Sequence, residues 1–247
     1  MDQKTLFLET PPQRLFFRAA LPGSVGMLAS SLYQLMDGIF VGRILGDSAF
    51  AALNLAMPLV IINFALADLI GVGSAVPISV RLGEKRPREA DSLFTCACLL
   101  VVGLGALTGG VLYLLAPTLL GWMGAEGELL TLAVQYMRVY ALFSPLVSIV
   151  FAADNYLRIC GRIKTSMWLN VLMSVLCAGL EFFLLYVVGM GIAGAALGTC
   201  LGMTVCVVVA LGPFLAGRMP LRFRRPRFTR HIVGSIFSCG CPTFLSN

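Results

Sequence analysis

Residues 21–46 read LPGSVGMLASSLYQLMDGIFVGRILG. About 20 apolar residues in a helix cover the roughly 30 Å hydrocarbon thickness of a bilayer, and this run is long enough to do so. Within it lies a single carboxylate, Asp37, with no basic residue beside it. An aspartate at that depth costs roughly 2.5 to 3.5 kcal/mol on insertion scales, so something in the folded protein must compensate it.

The rest of the chain repeats the pattern. Of 247 residues, 58% are hydrophobic and only 12% are charged, against about a quarter charged in a soluble domain, which places the chain among membrane proteins. Further runs lie near 52–80, 92–121, 131–157, 166–189 and 192–216, the first extending over 19–42. A last apolar piece begins near 232 and reaches Asn247, as the start of a seventh helix. The expected fold is therefore all-α: a polytopic six-helix transmembrane bundle over 19–216. It is preceded by a polar segment (1–18) and followed by a basic loop (217–231) and the opening of another helix (232–247).

Prolines 22, 58, 77, 117, 145 and 213 fall in or beside these runs, as membrane helices tolerate when neighbours satisfy the freed backbone groups. A β-barrel would alternate apolar and polar residues over short strands, and that pattern is absent. The N-terminal MDQKTLFLETPPQRLFFR lacks the basic head and short apolar core of a cleaved signal peptide, so the first helix is expected to stay.

Lys and Arg collect on alternate loops. Lys4, Arg14 and Arg18 precede the first run, Arg81, Lys85, Arg86 and Arg88 follow the second, and Arg158, Arg162 and Lys164 follow the fourth. Arg218, Arg222, Arg224, Arg225, Arg227 and Arg230 follow the sixth. The opposite loops carry Arg43 with Asp47, then Glu126 and Glu128, then the uncharged GMGIAG; Arg138 lies inside the fourth run. The positive-inside rule puts the N-terminus and the RFRRPRF loop in the cytoplasm of a cell whose plasma membrane, the inner membrane in a bacterium, holds the protein. The net charge of +6 is thus a topology signal, and no nucleic-acid partner is expected.

Two motifs have plain readings. GMGIAG fits G-x-G-x-x-G, but it sits in a short turn between spans rather than after a strand. Its continuation GAALGTCLG sets Gly194, Gly198 and Gly202 four apart on one helix face, where small residues let helices approach closely. The eight cysteines include only C-x-C pairs (Cys96 and Cys98, Cys239 and Cys241) and read as small apolar filler, not a metal site. With His231 the only histidine, at the end of a basic loop, neither a multi-histidine metal site nor a Ser-His-Asp triad in the membrane can be assembled, and an enzyme is not expected. No cofactor is implied.

The polar residues at depth are Asp37, Asp68, Asp154 with Asn155, and Glu181, and no Lys lies in any span. Each could be a satisfied interhelical group or a residue at the water interface; ionisable groups at depth also mark ion and substrate pathways. Asp37 lies 19 residues beyond Arg18 and Glu181 lies 17 beyond Lys164, roughly 25 to 29 Å along parallel helices. The two acids are thus expected at one level in the outer half. Such a pair can bind and release H+, or exchange protons for Na+.

With these residues in view, the sequence resembles the multidrug and toxin extrusion (MATE) family of the multidrug, oligosaccharide-lipid and polysaccharide flippase superfamily. The resemblance rests on residues 21–59 (LPGSVGMLASSLYQLMDGIFVGRILGDSAFAALNLAMPL) and 71–90 (GVGSAVPISVRLGEKRPREA). NYLRICGR (155–162) and EFFLLYVVGMGIAGAALGT (181–199) complete it. It implies one six-helix lobe of a two-lobe, twelve-helix transporter, with RFRRPRF as the interlobe loop and Pro242 entering helix seven as Pro22 enters helix one.

By resemblance, Asp37 matches the acid of helix one and Pro22 the proline at which that helix bends. Glu181 stands where many members have aspartate and Cys177 where many have asparagine. Thr199 and Tyr136 match cavity residues, and Asp154 and Asn155 join this coupling set. Met27, Tyr33, Met36, Met57 and Asp68 are candidate substrate contacts. Glu for Asp lengthens the arm, and Cys for Asn removes a hard oxygen ligand, which favours H+ over Na+. The implied function is cation-coupled antiport of small organic, cationic or amphipathic compounds by rocking lobes, the partners being lipid, substrate, coupling cation and a C-terminal lobe. Two rivals stay open: a lipid-linked oligosaccharide flippase, and an incomplete lobe inactive alone.

Overall fold

The computed structural model describes residues 12–217, 219–224, 234, 236 and 238–241. Six long helices carry the chain: α1 Pro12–Leu45, α2 Asp47–Gly83, α3 Pro87–Trp122, α4 Gly127–Ile159, α5 Ile163–Phe182 and α6 Ile192–Leu215. A single π-helical turn, Phe183–Val188, extends α5. All six are long and apolar enough to cross a membrane, and the described residues contain no strand. They run past the apolar stretches at most ends because polar residues there continue the helix into the interface, as Arg88 and Glu89 do in α3, which opens on Pro87, where the missing N–H costs nothing. Lys4, the basic residues 225–230, His231 and Pro242 lie outside the described residues.

The connections are short. Gly46 alone joins α1 to α2 at φ 89°, a left-handed value that glycine adopts without a Cβ clash. Short links of this kind make successive helices antiparallel, which returns the described basic links after α2 and α4 and residues 219–224 to one end of the bundle. We call that end the basic end. α4 is central and packs on α2, α3 and α6; α5 packs on α6, and α1 leans on α5 with a lighter contact to α2.

Small residues set the close approaches. A Cβ on Gly105 of α3 would stand 2.9 Å from both Pro145 Cα and Ser148 Oγ of α4, so the two helices meet backbone to backbone there. Deep in the bundle, Asn63 of α2 donates to Tyr140 Oη (3.2 Å) and accepts from Thr108 (2.8 Å) and Ser144 (2.9 Å). Ser74 and Tyr156 pair at 2.8 Å. These bonds tie α2, α3 and α4 together where hydrocarbon would leave polar groups unpaired.

Arg138 lies 5.6 Å over the Tyr113 ring, a cation–π contact that explains a charge inside an apolar run. At the basic end, residues 219–224 fold back on α3: Arg222 N–H donates to Asp91 Oδ1 (2.9 Å) and Arg224 N–H to Thr95 Oγ1 (3.0 Å). The described helical residues 234, 236 and 238–241 reach α2, where a Cβ on Gly73 would meet Gly240 backbone at 2.9 Å. Trp122 and Trp168 are largely exposed near helix ends, the position of aromatic anchors at a membrane interface.

Candidate functional site

A cavity of about 800 Å³ opens between α1, α2, α4, α5 and α6. One face of α1 lines it, because Ser30, Tyr33, Gln34 and Asp37 recur at the three- and four-residue spacing of a helix. Its other walls include Met57, Phe64 and Asp68 from α2, Tyr136, Tyr140 and Phe151 from α4, Cys177 from α5 and Thr199 from α6. Acidic side chains line it and basic ones do not.

At one side of this cavity α1, α5 and α6 converge. Asp37 is 4% exposed and Glu181 fully buried, and they are immediate polar neighbours. Both Glu181 carboxylate oxygens lack a hydrogen bond of ordinary length and angle, although Asp37 and Tyr33 stand beside them. Tyr33 Oη pairs instead with Thr199 Oγ1 at 2.5 Å, while the Thr199 hydroxyl also reaches Ala195 O at 3.2 Å.

Two glycines make this convergence possible. A Cβ on Gly198 would stand 2.6 Å from Glu181 N and Cα, and one on Gly202 would stand 2.6 Å from Cys177 Sγ. α6 is therefore pressed against α5 on the face that carries Gly198 and Gly202. Cys177 turns its thiol towards Thr199 O at 3.4 Å. The π-helical turn begins two residues after Glu181, and such turns, which interrupt the regular ladder, occur often at functional sites.

Of the expected coupling set, Asp37, Thr199, Cys177 and Tyr136 line this cavity, and Glu181 lies buried beside Asp37 without lining it. Asp154 and Asn155 do not line it, although Phe151 one turn earlier on α4 does: Asn155 lies beside the lining residue Asp68, and Asp154 stands 18 residues from Tyr136, about 27 Å by helical rise. Asp154 belongs to a network at the basic end, where Arg158 Nη2 lies 2.7 Å from Oδ2. Ser166 and Asn170 both donate to Oδ1, Asn170 at 3.1 Å. Arg158 Nε also donates to Ser166 Oγ at 3.0 Å.

Pro22 lies inside α1, where it removes one backbone donor, and it borders a smaller cavity of about 230 Å³ shared with Arg158, Ser166 and Asn170. Among the substrate candidates Tyr33, Met57 and Asp68 line the large cavity. Met27 and Met36 do not and are exposed, 67% and 42%. Met36 points about 100° round the helix from Asp37, its sequence neighbour. Sequence reading passed over Gln34, Asn63, Phe64 and Phe151. Gln34 and Asn63 are amides inside apolar runs and carry a signal in the sequence; the two phenylalanines do not.

The family model MatE matches residues 22–186. The multidrug export protein MepA of Staphylococcus aureus (strain NCTC 8325 / PS 47) is 26% identical over 247 residues, covering 99% of this chain and 54% of that protein. Two solved structures superpose over the whole chain with TM-scores of 0.91. One is a MOP superfamily transporter from Pyrococcus furiosus Vc1 (DSM3638), 28% identical, of which 55% is covered. The other is an outward-facing multidrug resistance MATE transporter, 29% identical, also 55% covered. The chain thus spans about half the length of the relatives it matches. With two thirds of its length matched by the family model and the whole of it superposed on MATE structures, this multi-pass membrane chain belongs to the MATE family.

Proposed function

We propose that this chain is the amino-terminal lobe of a cation-coupled antiporter that exports small organic, cationic or amphipathic compounds. The observation that carries the reading is Glu181, a carboxylate fully buried beside Asp37 with neither oxygen hydrogen-bonded. Leaving a buried polar group unsatisfied costs about 1 to 3 kcal/mol, more for a charge. A mobile cation entering from the cavity removes that cost, and its release restores it, so ion occupancy can bias the conformation of α1 against α5 and α6.

In this reading the ion is H+. Na+ would want several oxygen ligands, and the group at position 177 is a thiol already turned to the Thr199 carbonyl. Tyr33 and Thr199 serve as the hydroxyl relay beside the pair, and Pro22 is the point at which α1 bends. The N-terminus faces the cytoplasm, the lipid-facing surface lies in the plasma (bacterial inner) membrane, and a C-terminal lobe rocks against this one. The rival flippase reading would need cationic side chains facing the cavity for a pyrophosphate, whereas its charged lining residues are acidic.

The test uses everted membrane vesicles energised by an imposed pH gradient, with ethidium accumulation followed by fluorescence. Asp37→Asn should reach the membrane in normal amount and lose ion-driven ethidium movement by at least about tenfold, since a neutral amide removes one titrating member of the pair. Unchanged movement in that variant overturns the assignment. A Na+ gradient that drives the wild type where a pH gradient does not would overturn the choice of ion.

A further inference from the structure

The second acid of the cavity, Asp68, is not used by that coupling pair. It stands on α2 one helical turn after Phe64, on the same face, and both line the large cavity. On α4 a matching pair faces them: Phe151 and, one turn later, Asn155. Asn155 Nδ2 donates to Phe151 O at 3.2 Å, which holds its amide next to the Asp68 carboxyl.

The rings are packed as a group. Phe64 and Phe151 have centroids 4.7 Å apart at 59°, and Tyr140 meets Phe64 edge-on at 6.2 Å. The charges near Asp68 are Asp154 and Arg158. Arg158 gives its guanidinium to Asp154 at 2.7 Å and to Ser166 at 3.0 Å, so the three groups together keep one net negative charge, and it faces the cavity through Asp68. Arg158 itself borders the smaller cavity instead.

Resting on the transport reading above, we propose that Phe64, Asp68 and Phe151 form a receptor for the organic cation that is carried, separate from the coupling pair. A carboxylate next to clustered aromatic faces is the chemistry that holds a weakly hydrated monovalent cation with flat or aryl groups, the carboxylate supplying charge and the rings a cation–π surface. It is poorly suited to a metal ion, since one carboxylate and one amide give too few oxygens. The cavity volume of about 800 Å³ falls within the 300 to 1,000 Å³ usual for drug-sized ligands. Carriage of the substrate and of the coupling ion would then use two acids of one cavity, Asp68 on α2 and Asp37 on α1.

The test is equilibrium binding to purified protein in detergent, with no ion gradient, using two fluorescent probes of similar size: ethidium, a cation, and Nile red, which is neutral. Asp68→Asn should weaken ethidium about tenfold and leave Nile red within about twofold. Asp68→Glu should keep ethidium within about threefold, and Phe151→Leu should weaken ethidium about threefold by removing one ring face. Wild-type ethidium affinity in Asp68→Asn overturns the proposal. So does an equal loss of both probes in Asp68→Asn and Asp68→Glu, which would make Asp68 a packing residue. Loss of ethidium in Asp37→Asn with full retention in Asp68→Asn also overturns it, by placing the cation at the coupling pair. Failure of the antiport reading is a different result: ethidium binds as described, and no gradient moves it.

Discussion

Gly198 gives the sharpest quantitative test of how the site is held together. Replacing it with alanine places a Cβ 2.6 Å from Glu181 N and Cα. Ordinary contact begins near 3.4 Å, so α5 and α6 must separate locally by about 0.8 Å. The obstructing atoms are backbone, and no rotamer change relieves the clash. Overpacking of this kind costs about 1 to 3 kcal/mol, and each kcal/mol lowers Tm by roughly 2–4 °C in a chain of this length.

The displacement falls on the residue with the unpaired carboxylate. Gly198→Ala should therefore lower the thermal midpoint of detergent-solubilised protein by several degrees and also weaken ion-driven ethidium movement. Gly103→Ala on α3 is the matched control, because nothing lies within 4 Å of its would-be Cβ, and alanine favours helix there by up to about 1 kcal/mol. Its midpoint should hold or rise. Equal midpoints for the two variants, measured by fluorescence-detected size exclusion after heating, would refute the claim that Gly198 sets the approach of α6 to Glu181.

Other outcomes follow from the same coordinates. Asn63→Ala removes one partner each from Tyr140, Thr108 and Ser144 and should cost about 2 to 4 kcal/mol. Asn54→Ala, at an exposed amide whose Nδ2 donates to Phe50 O at 2.9 Å within its own helix, should stay within about 0.5 kcal/mol; similar thermal midpoints for the two would count against the hub. Cys160 sits just after α4, outside the spans, and burial pushes its thiol up to about 12, against the opposing pull of the Leu221 backbone hydrogen bond and Arg162. Its thiolate forms only as pH approaches that value, so maleimide at pH 8 should label the exposed Cys241 and spare Cys160. Comparable labelling of the two by peptide mass spectrometry would show that Cys160 is open to solvent.

Much of this protein was legible without coordinates. Length and hydropathy of each run fix six spanning helices, because the bilayer demands about 20 apolar residues and internal pairing of every backbone group. The alternation of basic loops sets which ends lie together, and four-residue glycine spacing foretells the face of α6 that meets α5. The depth of Asp37 and Glu181 follows from helical rise alone, which is why their common level could be read from residue counts.

Tertiary packing decided the remainder. Depth gives one coordinate of three, so it could not say that Asp37, Tyr33, Glu181 and Thr199 converge at one spot while Asp154 joins Arg158, Ser166 and Asn170 in another network and Asn155 stands beside Asp68. Nor could it tell Met57, in the cavity wall, from the exposed Met27 and Met36. In a membrane helix every face is apolar, so hydropathy no longer separates core from surface. Which residue looks into the cavity is decided by how each helix is rotated against its neighbours, and that rotation is set by small-residue contacts such as Gly198 on Glu181 and by the hydrogen bonds of Asn63.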